Sequence, residues 1–382
     1  MNIIGIIIET NPLHNGHKYL IDEIKNKYNP DVLIAVTSTS FTMRGEVSVI
    51  NKFDKTTALL KAGVNLVLEF PFILSTQSSD YFASNAVTIL NSIGVNQIIC
   101  GCEDDNINNL STFYELENTT KFKDLFKENL KKHNSYKQTF EDTLKELNID
   151  SSLIELFSKP NFTLAYQYYK SIKTNYPNIK MSLIKRTNSY DDENLDSNIV
   201  SAKAIRNARI NNLNYSQYLP FKENLIDLNA AYNKLITIIN YTCLINTNYS
   251  NNINSEGIIN YIIKNHNMNN SYNEFINNLC NKRYSKSRIN RTILYMLLNI
   301  KEFYHNEIYL RLLGTDDVGL KYINGLDKET KNQIFSSVKE INSDQICYNI
   351  LEIELLATKL YSLITDNKDL FIKEYQLPIR KD

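Results

Sequence analysis

Short apolar runs alternate with amphipathic stretches over about the first 100 residues of this chain. The runs are rich in β-branched side chains and contain few polar positions, which is typical of strands buried on both faces of a parallel sheet. They lie at residues 3–8, 32–36, 64–68 and 97–100. Apolar residues recur at helical spacing after the first run and again at 51–62 and 78–93. The alternation predicts an α/β fold, a Rossmann-like doubly wound parallel sheet whose ligands bind at the carboxyl ends of the strands.

The pattern changes in the rest of the chain. Residues 106–158 are charged and have helical spacing, and one more short strand is predicted at 181–184. Beyond about residue 200 the strand pattern disappears and helical spacing dominates to near residue 365. We therefore predict a sheet domain at 1–200 and a mainly α-helical C-terminal domain at 201–382. Five lysines in the first of these stretches are interpreted as a solvated helix face: Lys121, Lys123, Lys127, Lys131 and Lys132.

The charges balance, with 42 Lys and Arg against 42 Asp and Glu. This excludes a strongly basic nucleic-acid coat protein and an acidic disordered chain, and we expect no DNA partner. The balance averages unlike halves, because 20 basic and 24 acidic residues precede residue 201, whereas 22 and 18 follow. The five cysteines are too sparse for a disulfide framework, and neither a signal peptide nor a run of membrane-spanning length is evident. We expect a cytoplasmic protein with no membrane partner.

The tetrapeptide His14-Asn15-Gly16-His17 lies where the first predicted strand ends and the first helix begins. Backbone N–H groups at a helix N-terminus favour phosphate, and two imidazoles there can donate hydrogen bonds to phosphates as charge develops on them. Gly16 lacks a Cβ, so we expect a nucleotide to lie close to the backbone. The alternative is a pair of surface histidines or a partial metal site, although the HExxH spacing that zinc prefers is absent. We predict a nucleotide site with His14 and His17 as catalytic residues.

Further sequence blocks extend this motif. In chain order they are Gly5-Ile6-Ile7-Ile8-Glu9-Thr10-Asn11-Pro12-Leu13-His14-Asn15-Gly16-His17, Ser40-Phe41-Thr42-Met43-Arg44-Gly45-Glu46, Gly63-Val64-Asn65-Leu66-Val67-Leu68-Glu69-Phe70-Pro71, Gln77-Ser78-Ser79-Asp80-Tyr81-Phe82-Ala83, Gly101 with Glu103, Pro160-Asn161-Phe162-Thr163-Leu164-Ala165, Ile184-Lys185-Arg186 and Ser201-Ala202-Lys203-Ala204-Ile205-Arg206. Together they strongly resemble the bacterial tRNA(Met) cytidine acetate ligases, a nucleotidyltransferase-like family. The resemblance covers most of residues 1–210 and reappears at 282–298.

The resemblance implies a two-step ligase reaction. ATP and acetate would give acetyl-adenylate and pyrophosphate, and the acetyl group would pass to N4 of the wobble cytidine of elongator tRNA(Met), giving N4-acetylcytidine. Mg²⁺ is expected because ATP phosphates usually bring it. By the same resemblance, residues 1–200 are the catalytic domain, and these positions match the nucleotide contacts of the family: Ile7, Ile8, Glu9, Thr10, Asn11, Pro12, Leu13, His14, Asn15, Gly16, His17, Lys18, Tyr19, Leu20, Gly101, Asn161 and Arg186.

The block at 201–206 resembles the second motif of the wider HxGH nucleotidyltransferases. Ser201 suits a helix N-cap, and Arg206 would meet the β- and γ-phosphates with a delocalised charge, which makes it a third catalytic candidate. The alternative is an ordinary capped helix with a surface arginine. For Arg44, a substrate contact and an ion pair with Glu46 both remain open.

Three positions depart from the family pattern. Thr10 and Leu13 replace the aromatic residues usual near the first motif, and Asp191 stands where family members tend to have histidine. The change at Asp191 would alter the acetate pocket or only a loop. None of these three changes affects His14 or His17.

A basic cluster at 282–291 suggests how tRNA binds. Lys282-Arg283-Tyr284-Ser285-Lys286-Ser287 looks like the KMSKS loop of class I aminoacyl-tRNA synthetases, but the apolar spacing that follows predicts the basic start of an amphipathic helix. Tyr284 would stack on a base or pack in the core. The five charges with no acid among them are predicted to contact tRNA phosphates: Lys282, Arg283, Lys286, Arg288 and Arg291.

Two other functions are weighed against the ligase. One is a nucleotidyltransferase that activates a small phosphorylated metabolite, against which the long helical C-terminal half argues. The other is a non-catalytic tRNA-binding protein that retains the fold. Loss of activity with preserved RNA binding on replacement of His17 would separate this last possibility from the ligase.

Overall fold

The structure is a computed structural model of the chain and describes residues 1–132, 136–186, 199–245, 249, 253–266, 268, 271–304, 307–341 and 347–381. Its strands are β1 (Ile3–Ile7), β2 (Val32–Ser38), β3 (Leu66–Phe70), β4 (Gln97–Cys102), β5 (Lys180–Lys185), β6 (Leu310–Thr315), β7 (Ile334–Phe335) and β8 (Ile379–Arg380). Its α-helices are α1 (Asn15–Tyr28), α2 (Lys52–Ala62), α3 (Phe72–Ser75), α4 (Ser79–Ser92), α5 (Ile107–Glu117), α6 (Thr120–Leu130), α7 (Tyr136–Glu146), α8 (Ser151–Ser158), α9 (Pro160–Asn175), α10 (Ala202–Ile210), α11 (Leu228–Ile245), α12 (Ile258–Lys264), α13 (Tyr272–Leu279), α14 (Lys286–Leu297), α15 (Asp317–Gly325), α16 (Lys328–Gln333), α17 (Cys347–Thr365) and α18 (Asp369–Lys373).

The strands form one sheet in the order β5-β4-β1-β2-β3-β6-β7, with β8 beside β6. Strands β1 to β5 are mutually parallel, so the predicted α/β fold with a largely parallel sheet is confirmed, including the strand predicted at 181–184. From β1 the chain proceeds to β2 and β3 on one side and returns to β4 and β5 on the other. Such a reversal of strand order opens a crevice at the carboxyl ends of β1 and β4, where ligands bind in open α/β sheets.

The central strands are buried on both faces. Every residue of β2 and β3 is buried. Alternate residues enter different apolar cores, so that Ile34 belongs to one core and the adjacent Leu33 to the other. Because side chains alternate across a strand, a continuous apolar run is needed when helices cover both faces of the sheet.

The expectation that strands end near residue 200 is wrong. Strand β6 lies in the sheet antiparallel to β3, with Leu66 opposite Thr315. All six of its residues are buried, including Arg311, whose guanidinium forms ion pairs with Glu69 and Glu374. The buried arginine interrupts the apolar pattern by which a central strand is recognised. The C-terminal half therefore completes the sheet as well as supplying helices.

Helices α5 to α8 confirm the helical pattern at 106–158. Their aromatic side chains form a shared core, in which the rings of Phe140 and Phe157 stack with centroids 4.2 Å apart and Phe113 lies 5.2 Å from Phe157. The five lysines at 121–132 are all exposed, as expected for a solvated face. None of the helices in the described ranges is both long and apolar enough to cross a membrane.

Candidate active site

The two histidines of the HxGH motif begin helix α1. His14 is the N-cap residue, and its Nδ1 accepts a hydrogen bond from the backbone N–H of Gly16 at 3.0 Å. The Nδ1 of His17 accepts from the backbone N–H of His14 at 3.4 Å. Each imidazole thus uses Nδ1 as an acceptor, a cap that Ser or Asp with a Glu usually provides. In the neutral tautomer that follows, Nε2 carries the hydrogen on both rings.

Burial keeps both imidazoles neutral. The rings stack with centroids 3.9 Å apart. Desolvation, with Arg186 nearby, lowers the pKa of His17 to about 3, and desolvation together with His17 lowers the pKa of His14 well below its usual range. At neutral pH the pair therefore presents two uncharged N–H donors at a helix N-terminus.

Gly16 is required by the His14 ring. A Cβ at position 16 would lie 2.8 Å from Cε1 and 2.9 Å from Nδ1 of His14. Any larger residue would push the imidazole off its cap. The expected benefit of Gly16, close approach of a nucleotide to the backbone, is thus joined by a second reason that the sequence pattern did not indicate.

A cavity of about 220 Å³ lies beside the histidines at the carboxyl ends of β1 and β4. Most of the predicted nucleotide contacts line it. The predicted contacts that line this cavity are Ile7, Ile8, Glu9, Thr10, Asn11, His14, His17, Leu20, Gly101, Asn161 and Arg186. Gly16 and Tyr19 line a smaller adjoining cavity of about 30 Å³ that shares His17, Leu20, Gly101 and Arg186.

The other predicted contacts line neither of these cavities. Leu13 is fully buried in the core under the sheet. The Nδ2 of Asn15 donates to the carbonyl of Gln217 at 3.1 Å, and Lys18 pairs with Asp22 on the same helix. Pro12 lies between the residues that do line the cavity. Consecutive residues in this segment therefore point in different directions, which a contiguous list of contacts does not distinguish.

The segment between β1 and α1 is held in an unusual conformation. Thr10 has φ 45°, a left-handed value that is rare for a β-branched residue, and its hydroxyl lies 3.4 Å from that of Thr37. The Oδ1 of Asn11 accepts from the backbone N–H of Val49 at 2.7 Å. Thr10 and Leu13, which depart from the family pattern, are thus both fully buried. Asp191, the third departure, lies outside the described residues.

Arg206 reaches the same cavity from helix α10. The Ser201 hydroxyl caps this helix by accepting from the backbone N–H of Ala204 at 3.0 Å, as predicted. Arg206 Nη1 donates to the carbonyl of Asn11 at 2.8 Å, and Nη2 lies 3.5 Å from Oε2 of Glu46. The arginine therefore tightens the segment before His14 and pairs with the carboxylate that had been weighed as a partner for Arg44.

Four cationic side chains line the cavity: Arg44, Arg186, Lys203 and Arg206. Together with the two imidazole donors and the N-terminus of α1, they form an environment suited to a polyphosphate. The carboxylates on the same wall are Glu9 and Glu46. Burial raises the pKa of Glu9, whose Oε1 accepts from the backbone N–H of Met43 at 2.7 Å.

Residues 42–46, here called the 42–46 loop, form a wall of the cavity that the predicted site list did not include. Thr42, Met43, Arg44 and Glu46 line it. The loop closes on itself through the Gly45 N–H, which donates to the Thr42 carbonyl at 2.9 Å. Its resemblance to a family block was the only signal for it in the sequence. Phe82 and Tyr168, also absent from the list, line the apolar part of the cavity with Cys100 and Leu164.

The basic cluster at 282–291 divides into groups that point in different directions. The amphipathic helix predicted here is present as α14, which begins at Lys286 with Ser285 as its cap. Lys282 and Lys286 are exposed. Arg283 and Arg288 both pair with Glu256, at 3.4 and 3.2 Å. The absence of acids along the sequence therefore does not hold in space.

Tyr284 lies in the interior, and Arg291 is half-buried. Tyr284 is 4% exposed, and its hydroxyl donates to the Glu256 carbonyl at 2.8 Å, so it packs in the core. Arg291 Nη1 donates to the carbonyl of Met43 at 3.4 Å. The backbone of Arg291 also contacts Gly45, because a Cβ on that glycine would lie 2.6 Å from the Arg291 nitrogen. The start of α14 thus abuts the 42–46 loop.

The described residues contain no cluster of three His, Cys, Asp or Glu side chains that could hold a metal ion. Cys100 and Cys102 are buried thiols, and burial raises the pKa of Cys102 to about 12. Both behave as small apolar residues. The side chains of the described residues therefore do not form a site for a resident metal ion.

Comparisons with known proteins agree with this geometry. The chain matches the HIGH Nucleotidyl Transferase family over residues 1–374. It is 31% identical to the tRNA(Met) cytidine acetate ligase of Clostridium botulinum (strain Hall), with 96% of this chain and 95% of the relative covered. The corresponding ligase of Clostridium perfringens is 33% identical, with 95% and 96% covered.

A solved structure shares the fold. The crystal structure of apo Thermotoga maritima TmcAL superposes with a TM-score of 0.85 at 23% identity and covers 100% of this chain and 99% of that one. The same protein bound to alpha-thio ATP gives a TM-score of 0.83 at 22% identity, with 100% and 99% covered.

Proposed function

The chain belongs to the HIGH nucleotidyl transferase family and, within it, to the tRNA(Met) cytidine acetate ligases, and from that premise we propose that this enzyme forms acetyl-adenylate from ATP and acetate. It then transfers the acetyl group to N4 of the wobble cytidine of elongator tRNA(Met). The reaction takes place in the cytoplasm, where its RNA substrate is found.

One observation carries the proposal. Two neutral, stacked imidazoles sit at the N-terminus of α1, in one cavity with four cationic side chains. Acetate is a poor electrophile until one oxygen is converted into a good leaving group, and AMP is such a group. Attack of an acetate oxygen on the α-phosphorus forms a P–O bond and releases pyrophosphate. Nε2–H donors stabilise the charge that builds on the phosphate oxygens.

The remaining cavity residues support this role by position. Arg206 holds the Asn11 carbonyl at 2.8 Å and keeps the segment before His14 in place. Its guanidinium faces the phosphates together with Arg44, Arg186 and Lys203. The apolar wall formed by Phe82, Cys100, Leu164 and Tyr168 suits the parts of the substrates that carry no charge. Mg²⁺ would accompany the ATP phosphates, and the described residues hold no cluster of three His, Cys, Asp or Glu side chains for it.

The tRNA contact involves a smaller surface than the five-residue cluster. Lys282, Arg283 and Lys286 are exposed at the start of α14 and Arg288 is half-buried, with Arg283 and Arg288 sharing Glu256. Arg291 lies on the cavity side of the same helix. Phosphate contacts at Lys282, Arg283, Lys286 and Arg288 would position the RNA. Their contribution to binding would fall with rising salt concentration.

The test is a reaction of the purified protein with ATP, acetate and elongator tRNA(Met), followed by nucleoside mass spectrometry. We expect N4-acetylcytidine and, without tRNA, acetate-dependent exchange of pyrophosphate into ATP. Unmodified cytidine, in an experiment where a known family member succeeds, would refute the ligase. Exchange that depends on a phosphorylated metabolite instead of acetate would favour the nucleotidyltransferase alternative.

A further inference from the structure

Glu103 and Asn161 form a hydrogen-bonded pair at the edge of the cavity. Glu103 follows β4, and Asn161 is the second residue of α9. The Oε1 of Glu103 accepts from the backbone N–H of Asn161 at 3.2 Å and from its side-chain Nδ2 at 2.7 Å. Because Oε1 already accepts from a backbone N–H, the side-chain atom that faces it must be the amide nitrogen. The carboxylate therefore selects one of the two orientations of the Asn161 amide.

That orientation leaves Oδ1 of Asn161 as an available acceptor. Asn161 lines the cavity beside Gly101, Pro160 and Thr163. Its hydrogen bonds to other described residues are the two that it donates to Glu103, so Oδ1 accepts from none of them. An acceptor on a cavity wall requires an O–H or N–H donor from a ligand or water.

The chemistry of the substrates limits what this donor can be. The phosphates of ATP and the carboxylate of acetate only accept hydrogen bonds when ionised, so neither matches Oδ1. The nucleoside part of ATP has donors of two kinds, the ribose hydroxyls and the exocyclic amine of the base. An acceptor at position 161 therefore suits the nucleoside of ATP and not the phosphates or the acetate carboxylate. The N4 amine of the tRNA cytidine is another donor among the substrates, and measurements without tRNA separate the two.

Resting on the proposed function, we propose that Glu103 is a positioning residue that orients Asn161 so that its Oδ1 accepts a hydrogen bond from the nucleoside of ATP. Glu103 itself does not line the cavity. Its second oxygen, Oε2, is buried and has no hydrogen-bond partner in the described part of the chain. A buried carboxylate oxygen left unpaired lowers stability. The bonds made by Oε1 therefore account for the carboxylate at this position: one satisfies a backbone N–H at the start of α9, and the other fixes the Asn161 amide.

The experiment measures ATP binding by calorimetry, without acetate or tRNA, for the full chain and three variants. Glu103→Leu removes the acceptor and should weaken ATP binding about tenfold, the effect of one well-placed hydrogen bond. Asn161→Ala should give a similar loss. Glu103→Gln keeps a carbonyl oxygen that can accept both N–H groups, so it should bind within about threefold of the wild type. Glu103→Leu should also lower the melting temperature, because the backbone N–H of Asn161 loses its partner, whereas Asn161→Ala keeps that bond and separates the two effects.

Analogues identify the donor. ITP replaces the amine of adenine with an oxygen, and 2′-deoxy-ATP and 3′-deoxy-ATP each lack one hydroxyl. The wild type should bind more weakly than ATP the analogue that lacks the donor to Oδ1, either ITP or one of the deoxy-ATPs. Glu103→Leu should lose that difference, while its affinities for the remaining analogues relative to ATP should match those of the wild type. The selectivity change is a readout that a merely structural role would not move.

Three results would overturn the inference while the ligase stands: unchanged ATP binding by Glu103→Leu, equal weakening for ATP and every analogue, or a defect confined to tRNA. In each of these cases the wild type would still bind ATP and form N4-acetylcytidine. A wild-type protein that binds no ATP would instead refute the proposed function.

Discussion

Lys52 and Glu354 are buried partners, with Nζ and Oε1 2.9 Å apart although 302 positions separate them in the chain. Lys52 also lies 2.7 Å from Glu69 and 2.6 Å from Glu374. With Arg311, two cations face three carboxylates. Burial, together with the neighbouring carboxylates, raises the pKa of Glu354 to about 7, and the three carboxylates raise the pKa of Lys52 above its usual value. The cluster joins α2 and β3 to the C-terminal elements.

Replacing Lys52 should therefore be costly and partly reversible by a second change. Lys52→Met leaves three carboxylates with Arg311 alone, and we expect a loss of about 3–5 kcal/mol in the free energy of unfolding. Lys52→Met/Glu354→Gln should be more stable than Lys52→Met, because the new amide can donate to the carboxylates that lost the lysine. Urea denaturation at pH 7.5 measures both. Additive losses would contradict the shared-charge account.

The contact between the 42–46 loop and α14 can be tested with a matched pair of glycines. Gly45 and Gly257 both have φ 74°. A Cβ on Gly45 would lie 2.6 Å from the backbone nitrogen of Arg291, whereas a Cβ on Gly257 would meet nothing within 4 Å. We expect Gly257→Ala to cost about 1–2 kcal/mol from backbone strain alone. Gly45→Ala should cost about 2–4 kcal/mol and lower adenylate formation, since the clash adds to the strain. Equal losses of unfolding free energy in the two variants would mean that the 42–46 loop does not pack tightly against α14.

Loss of the His17 donor should slow chemistry more than it weakens ATP binding. His17→Asn keeps an acceptor near the position of Nδ1 and removes Nε2–H, so kcat for adenylate formation should fall about 100-fold while the Kd for ATP stays within about threefold. His17→Gln, which retains a donor near Nε2, should keep more activity. Binding of tRNA should survive in both variants. A parallel loss of kcat and ATP affinity would assign the ring to ground-state binding.

The depressed pKa of His17 makes stability pH dependent. Its pKa is about 3 in the folded chain and 6.5 as the reference value, so the unfolded state binds more protons between these values. Stability contributed by the neutral ring is complete above pH 6.5 and is lost as pH falls toward 3. Relative to His17→Gln, the wild type should lose about 1 kcal/mol per pH unit between pH 6 and pH 4. Parallel unfolding free energies for the two proteins across this range would show that the histidine is not desolvated.

The exposed lysines at the start of α14 and the half-buried Arg291 should have separable effects on tRNA binding and adenylate formation. Lys282→Glu/Lys286→Glu should weaken tRNA binding about tenfold, reduce its salt dependence and leave adenylate formation unchanged. Arg291→Met should lower adenylate formation and leave tRNA binding unchanged, because Arg291 donates to the Met43 carbonyl in the cavity wall. Lys127→Glu/Lys131→Glu on α6 changes the same charge at exposed positions away from the cavity and serves as the control. Impaired adenylate formation in the first variant would move its lysines into the active site.

The local features of the site follow from short-range rules that operate along the sequence. The apolar runs identified strands β1 to β5, since a strand buried on both faces needs apolar residues at every position. The strand-to-helix junction with His14 and His17 predicted their place at a helix N-terminus. Ser201 was recognisable as a cap because a cap depends on a residue and its next three neighbours.

Only the tertiary structure decided which remote side chains meet. Arg311 is tolerated inside β6 because Glu69 and Glu374 reach it, and no local pattern encodes that arrival. Glu103 and Asn161 pair across 58 positions. Glu256 meets the basic start of α14 only in the folded chain. The sequence thus determined the parallel strands β1 to β5, the cap of α10 and the histidine pair, whereas the charge balance of buried and clustered groups depended on three-dimensional packing, because a charge is stabilised by its neighbours in space.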